Sequence, residues 1–128
     1  MAYLAFMTTS EIATVLAWHD ALNDEDIDTL VGLSSDDIEI GDPAGAAQGH
    51  AALRTWAAAL GVSVTPGRMF VHDGVVVAEQ TIRDADGTAH PGAAAFRVVH
   101  DHVTSVFRHD TLAAALAATD LTEKDLAG

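Results

Sequence analysis

From Ile12 the chain places Val15, Leu16, His19 and Leu22 at three- and four-residue steps, a spacing that predicts one helix face, with Thr9 or Ser10 positioned to cap it. Asn23 is expected to end this helix and cap a second, shorter one. There Asp24, Glu25 and Asp26 suit the positive end of a helix dipole, and Ile27, Leu30 and Val31 face inward up to Gly32. The period then falls to two, with Ile38 and Ile40 on one face of a short strand over Asp37 to Gly41. Pro43, Gly45 and Gly49 interrupt the chain before Leu53, Trp56, Ala57 and Leu60 mark a third amphipathic helix, closed by Gly61. Strands follow over Arg68 to His72, Val75 to Arg83, Ala93 to His100 and Val103 to His109, separated by turn residues at Asp73-Gly74, Asp84 to Gly87 and Asp101. The run T-L-A-A-A-L-A-A-T predicts a short last helix.

Three helical segments followed by an antiparallel meander define an α+β class in which the helices pack on one face of a curved, mostly antiparallel sheet. The space between helices and sheet is conical, and it is the expected ligand site. The 128 residues read as a single domain with an ordered core over about residues 9–119, a flexible extension over 1–7 and a loose polar tail over 120–128.

Composition narrows the possibilities. Apolar residues make up 49% but aromatics only 5%, so the core is built mainly from small side chains, which leaves room for a cavity. The formal charge of -13, from 19 acidic against 6 basic residues, repels phosphate backbones and anionic lipid, so neither nucleic acid nor a membrane is an expected partner. The apolar opening M-A-Y-L-A-F-M lacks the basic start and cleavage site of a signal peptide and is too short to span a bilayer, which makes the cytoplasm the expected location. With no cysteine, thiolate metal sites and a cysteine nucleophile are excluded.

Candidate chemistry gathers at strand ends. Asp42 closes the first strand before Pro43, where a short carboxylate on a stiff support is a candidate general base; the same residue is also ordinary turn chemistry, accepting backbone N–H groups. Asp110 ends the last strand and is either an acid/base group at the cavity rim or the N-cap of the helix that follows. Alternation puts Thr104, Val106, Arg108 and Asp110 on one face and Val103, Ser105, Phe107 and His109 on the other. Among seven histidines only His100-Asp101-His102 is a tight cluster, and its place in a turn argues for solvated residues, so no metal is expected. His19 reads as a core or rim histidine with one satisfied nitrogen, His50 as exposed, and His90, before Pro91-Gly92, as a residue within reach of the pocket mouth.

The blocks A-L-N-D-E-D-I-D-T-L-V-G-L, D-D-I-E-I-G-D-P-A-G, G-H-A-A-L-R-T-W and D-H-V-T-S-V-F-R-H-D-T-L-A-A-A-L occur in an order and spacing that resembles the nuclear transport factor 2-like superfamily, the cone-shaped (cystatin-like) fold of ketosteroid isomerases and SnoaL-like polyketide cyclases. The resemblance implies catalytic roles for two residues: Asp42 stands where the isomerases keep their proton-shuttling aspartate, and Asp110 where the cyclases keep an acid/base aspartate. It turns the Arg108 face inward and implies a substrate lining of Trp18, Trp56, Glu79, Phe96, Val106 and Arg108. The oxyanion pair of the steroid isomerases is replaced, because Trp18 falls at the tyrosine position and Ala94 at the aspartic acid position, which argues against classical steroid isomerisation. Limonene-type epoxide hydrolysis requires an Arg-x-Asp strand motif that Glu79 to Arg83 does not supply.

Two functions follow. One is a cofactor-free acid/base enzyme, an isomerase or cyclase acting on a hydrophobic carbonyl or epoxide compound. The other is a non-catalytic small-molecule-binding or assembly protein whose cone is filled by Trp18, Trp56 and Phe96. In both, the sheet face bearing Val103 and Phe107 is expected to be covered by a second copy in a homodimer.

Overall fold

The computed structural model describes residues 2–42 and 44–127, with side chains from residue 10 onward. Its elements in chain order are helices α1 (Ala2–Asn23) and α2 (Ile27–Gly32), strands β1 (Ser34–Asp42) and β2 (Gly45–Gln48), helix α3 (His50–Ala59), strands β3 (Ser63–His72), β4 (Val75–Arg83), β5 (Ala89–Val99) and β6 (His102–His109), helix α4 (Leu112–Thr119) and a 3-10 turn at Glu123–Asp125. The six strands form one sheet in the order β2-β1-β6-β5-β4-β3. Only the β1–β6 pair is parallel; the other four pairings are antiparallel.

The expected α+β architecture is present, with differences that have local causes. Helix α1 starts at Ala2, ahead of the capping signal, so the expected extension over residues 1–7 falls largely within the helix; its side chains lie outside the described residues, as does Pro43. Asp26, not Asn23, caps α2: its carboxylate accepts from Thr29 N–H at 3.3 Å and from the Thr29 hydroxyl at 2.7 Å. Asn23 does something the helix pattern did not reveal. Its side-chain amide donates to Val64 O and accepts from Val64 N–H, both at 2.8 Å, so it pairs with edge strand β3 as a neighbouring strand would.

One face of the sheet packs against α1, α2 and α3 through Val76, Ala78, Ile82, Ala94, Phe96, Val98 and Val106, with Ile38 and Ile40 from β1. The opposite face carries a smaller cluster in which Ala115 of α4 and Leu121 meet Phe70, Val77 and Ala93. The chain therefore covers part of its own outer face. The tail from Asp120 is docked rather than loose, since Leu126 bridges Phe70 and Ala127 N–H donates to Met69 O at 2.8 Å.

Strict alternation fails at the start of β6. A register shift pairs Val98 with Val103 and Arg97 with Ser105, which leaves Thr104 as the extra residue and turns Val103 into the helix-side core. Val103 is thus removed from the face expected to pair with a second copy. Phe107 stays on that face, half-buried over Gly41, where an added Cβ would stand 2.7 Å from its ring.

Candidate functional site

The deep part of the cone is solid. Trp18 and Phe96 are 1% exposed and His19 not at all, whereas a water-sized cavity among them would leave accessible surface. Trp18 meets Phe96 edge-to-face at 5.4 Å and the half-buried Trp56 at 5.9 Å. Its indole N–H donates to Ser34 Oγ at 3.1 Å, and that hydroxyl donates to Leu30 O at 2.8 Å. Trp18, Phe96 and Val106 are therefore core residues of the packed cone, which argues against their expected place in the lining: their side chains fill the space that many alanines were expected to leave open.

Behind Trp18 lies a buried polar pair, His19 and Gln80. His19 Nδ1 donates to Val15 O at 2.8 Å, so its Nε2 carries the lone pair and accepts from the Gln80 amide at 3.0 Å. Burial holds the His19 pKa below its ordinary value, against smaller raising effects from the Val15 carbonyl and from Asp20. Both ring nitrogens are used, one more than expected.

Glu79 faces the other way. On β4 it sits between Val77 and Thr81, on the α4 side, and forms a two-pronged ion pair with Arg68 at 3.0 and 3.1 Å. That hydrogen-bonded pairing lowers the Glu79 pKa. The expected lining role is corrected by one step of strand register, because the cavity-side residue is Gln80.

An opening lies at the mouth of the cone. A pocket of about 390 Å³ is lined by Asp42, Ile82, His90, Pro91, Gly92, Arg108, His109 and Asp110. The sheet order brings these strand ends together: β6 lies between β1 and β5, Gly41 pairs with Phe107, and Ala94 pairs with Arg108. The candidates Asp42, Arg108 and Asp110 thus share one pocket, with His90 at its edge. Asp42 Oδ1 accepts from Ala44 N–H at 2.8 Å and Gly45 N–H at 3.2 Å, an Asx turn that pins the carboxylate and leaves Oδ2 without a partner among the described residues.

Asp110 is not the helix cap. Thr111 takes that role, its hydroxyl accepting from Ala114 N–H at 3.0 Å, and the Asp110 carboxylate is exposed at the rim. Arg108 is half-buried and makes no ion pair or side-chain hydrogen bond among the described residues. An Arg-x-Asp spacing does occur in this chain, at Arg108 on β6 and Asp110 just beyond its end, and not on β4.

Sequence reading missed Ile82, Gly92 and His109 as pocket residues. The antiparallel register setting Ile82 opposite His90 and Gln80 opposite Gly92 puts the first two there, and the H-P-G run was the only local hint. His50 is joined to Ser34 O at 3.1 Å and not exposed as expected, while His100 and Asp101 adopt left-handed turn conformations. Among the described residues no three His, Asp or Glu side chains gather as a metal site, and no helix is long and apolar enough to cross a membrane.

Comparison with known proteins agrees with this architecture. Similar solved structures include a candidate ketosteroid isomerase from Kribbella flavida (17% identity, TM-score 0.72, covering 79% of this chain and 77% of that one). An LEH-like epoxide hydrolase from M. tuberculosis is 22% identical with a TM-score of 0.71, over 89% of this chain and 97% of that one. A candidate polyketide cyclase from Sinorhizobium meliloti is 17% identical with a TM-score of 0.67, over 76% and 94%. At these identities the likeness establishes the fold alone. No curated protein matches the sequence. A model of the SnoaL-like domain matches residues 15–109, most of the chain, and the protein therefore belongs to the SnoaL-like domain family within the nuclear transport factor 2-like superfamily.

Proposed function

We propose that the mouth pocket carries out cofactor-free acid/base chemistry on a carbonyl or epoxide compound, with Asp42 as base, Arg108 as the donor to the substrate oxygen and Asp110 as the second proton-transfer group. One observation carries this reading: two carboxylates and the half-buried Arg108, whose guanidinium has no partner among the described residues, converge on a single pocket. For a ketone, Asp42 Oδ2 would take the proton from the carbon beside the carbonyl, while Arg108 donates to the oxygen as negative charge develops there. For an unsaturated ketone, protonation of the dienolate at its far carbon, by Asp42 or Asp110, would complete an isomerisation; attack of the enolate on a second carbonyl, with the resulting alkoxide taking a proton from Asp42 or Asp110, would complete a cyclisation. The donor is most useful in the transition state, where the oxygen is most negative.

Asp42→Asn is the decisive variant, because its amide oxygen still accepts from Ala44 and Gly45 N–H while the base is lost. Turnover in a panel of cyclic ketones and epoxides should fall by about 10²–10⁴-fold with the fold intact. Unchanged turnover would rule out Asp42 as the base.

A second reading is supported by the filled cone and by the use of Asp42 Oδ1 in a turn: a non-catalytic binder of small molecules, or an assembly module. It predicts ligand binding at the mouth pocket without turnover. A homodimer is proposed with either reading. Its support is the apolar groove of about 340 Å³ beside α4, lined by Val75, Ala95 and Phe107, and light scattering at micromolar concentration tests it.

A further inference from the structure

The mouth pocket holds one strong donor for a negative oxygen. Of its lining residues Arg108 alone carries a permanent positive charge, and none is a tyrosine, serine, threonine, asparagine, glutamine or lysine. The indole N–H of Trp18 is spent on Ser34 inside the cone. One wall is apolar: Ile82 is seated over Gly92, where a Cβ would stand 2.7 Å from Ile82 Cδ1, and Pro91 beside it has no N–H to give. Of the two histidines, His90 is exposed and His109 also lines the groove on the opposite face of the sheet. Stabilisation of an oxyanion therefore falls to the Arg108 guanidinium, half-buried, free of side-chain partners among the described residues and sharing the pocket with two carboxylates. A guanidinium presents its N–H groups as a planar fork, a shape that matches two coplanar oxygens side by side better than one.

We propose that the pocket selects compact 1,3-dicarbonyl compounds, β-diketones or β-keto esters, whose cis-enolate sets both oxygens on the Arg108 fork. This inference rests on the mouth pocket being the reaction site and narrows its substrate class. The C–H bond between the two carbonyls breaks, its proton goes to Asp42 Oδ2, which has no partner among the described residues, and the electron pair spreads over the two oxygens. Acidity favours this class. A simple ketone holds its α-proton more tightly than bulk water holds its own, at about 15.7, so a single donor leaves a carboxylate base far from its task. Between two carbonyls the proton is as acidic as a phenol's, about 10, and comes within reach. Charge favours it as well. Two carboxylates and a guanidinium become one carboxylate, one enolate and the guanidinium, so an acidic pocket gains no further negative charge. A volume of about 390 Å³ restricts the ligand to a small molecule.

The test is binding at neutral pH, followed by the amide chemical shifts of Gly92, His109 and Asp110 and by the Arg108 Nε–H resonance, with three single-ring probes. 2-Acetylcyclohexanone sets its two oxygens side by side, 1,3-cyclohexanedione is the stronger acid but holds them apart, and cyclohexanone has only one. In the unaltered protein the first is expected to shift these resonances and to bind at least tenfold more tightly than either of the others. Arg108→Lys keeps the charge without the fork and should weaken 2-acetylcyclohexanone at least tenfold while changing 1,3-cyclohexanedione by less than about threefold. The proposal is overturned if 1,3-cyclohexanedione or cyclohexanone binds the unaltered protein as well as 2-acetylcyclohexanone does, if none of the three shifts these residues, or if Arg108→Lys folds and keeps the preference. The three probes on the unaltered protein decide the matter even where the lysine variant does not fold. Asp42→Asn should keep the order of affinities and lose the protein's acceleration of deuterium exchange at the central carbon of 2-acetylcyclohexanone. An unchanged exchange rate in that variant would overturn Asp42 as the base while the preference for paired oxygens stands, so the two readings fail separately.

Discussion

Gln80 donates to His19 Nε2 at 3.0 Å inside the core, and Val15 O accepts from the opposite ring nitrogen, a pair of partners that suits the neutral ring. Because burial lowers its pKa, the unfolded chain, with an ordinary histidine near 6.5, binds the proton more readily than the folded one. Stability therefore rises with pH across this window, and His19's share is lost as pH falls below about 6.5. Urea midpoints measured from pH 7.5 to 5.0 should drop, and a His19→Leu/Gln80→Leu double variant should show a shallower decline. An equal slope in both would exclude His19 as the source.

The single variant His19→Leu is a different case. It leaves the Gln80 amide buried without its acceptor and should cost about 1–3 kcal/mol at neutral pH, part of which Gln80→Leu restores. A double-mutant cycle in urea measures the coupling.

Trp18 is a structural donor, so Trp18→Phe removes its hydrogen bond to Ser34 and part of the contact with Trp56. A loss of about 1–3 kcal/mol is expected, with ligand binding at the mouth pocket unaffected. Calorimetry of both quantities checks this; a binding defect at full stability would restore Trp18 to the site.

Asp42 has a turn role separable from chemistry. Asp42→Ala removes the acceptor for two backbone N–H groups and should cost about 0.5–2 kcal/mol, whereas Asp42→Asn should cost markedly less. Equal losses for the two variants would mean that the charge, not the turn, stabilises this corner.

Removing residues 120–128 should both destabilise the domain and promote association. Leu121 is buried against Phe70 and Val77, and Leu121→Ala alone should cost about 2–5 kcal/mol. The truncation also uncovers the β3 edge at Met69 and Phe70, whose backbone the tail now pairs. Size-exclusion profiles over a concentration series should shift to larger species; a monodisperse, equally stable truncated protein would contradict this.

Periodicity along the chain was enough for the element types apart from β2, which lies between the breakers Pro43 and Gly49 and is exposed throughout, and for the strand ends near Asp42 and Asp110, because helix and strand repeats are local properties of side-chain burial. The resemblance of four ordered blocks supplied the cone. Three matters escaped it. Glu79 and Gln80 exchange roles because facing depends on a register set by partner strands, and the extra residue at Thr104 moves Val103 into the core for the same reason. The filling of the cone by Trp18, Phe96 and Val106 is a property of packed volume, which residue counts do not report. The convergence of Asp42 with Arg108 and Asp110 exists only because β6 lies beside β1, and the seating of Ile82 over Gly92 only because β4 pairs with β5. Sequence by itself determined which groups could do chemistry; tertiary structure decided which of them meet, since alignment of strands far apart in the chain is settled by non-local pairing and close packing.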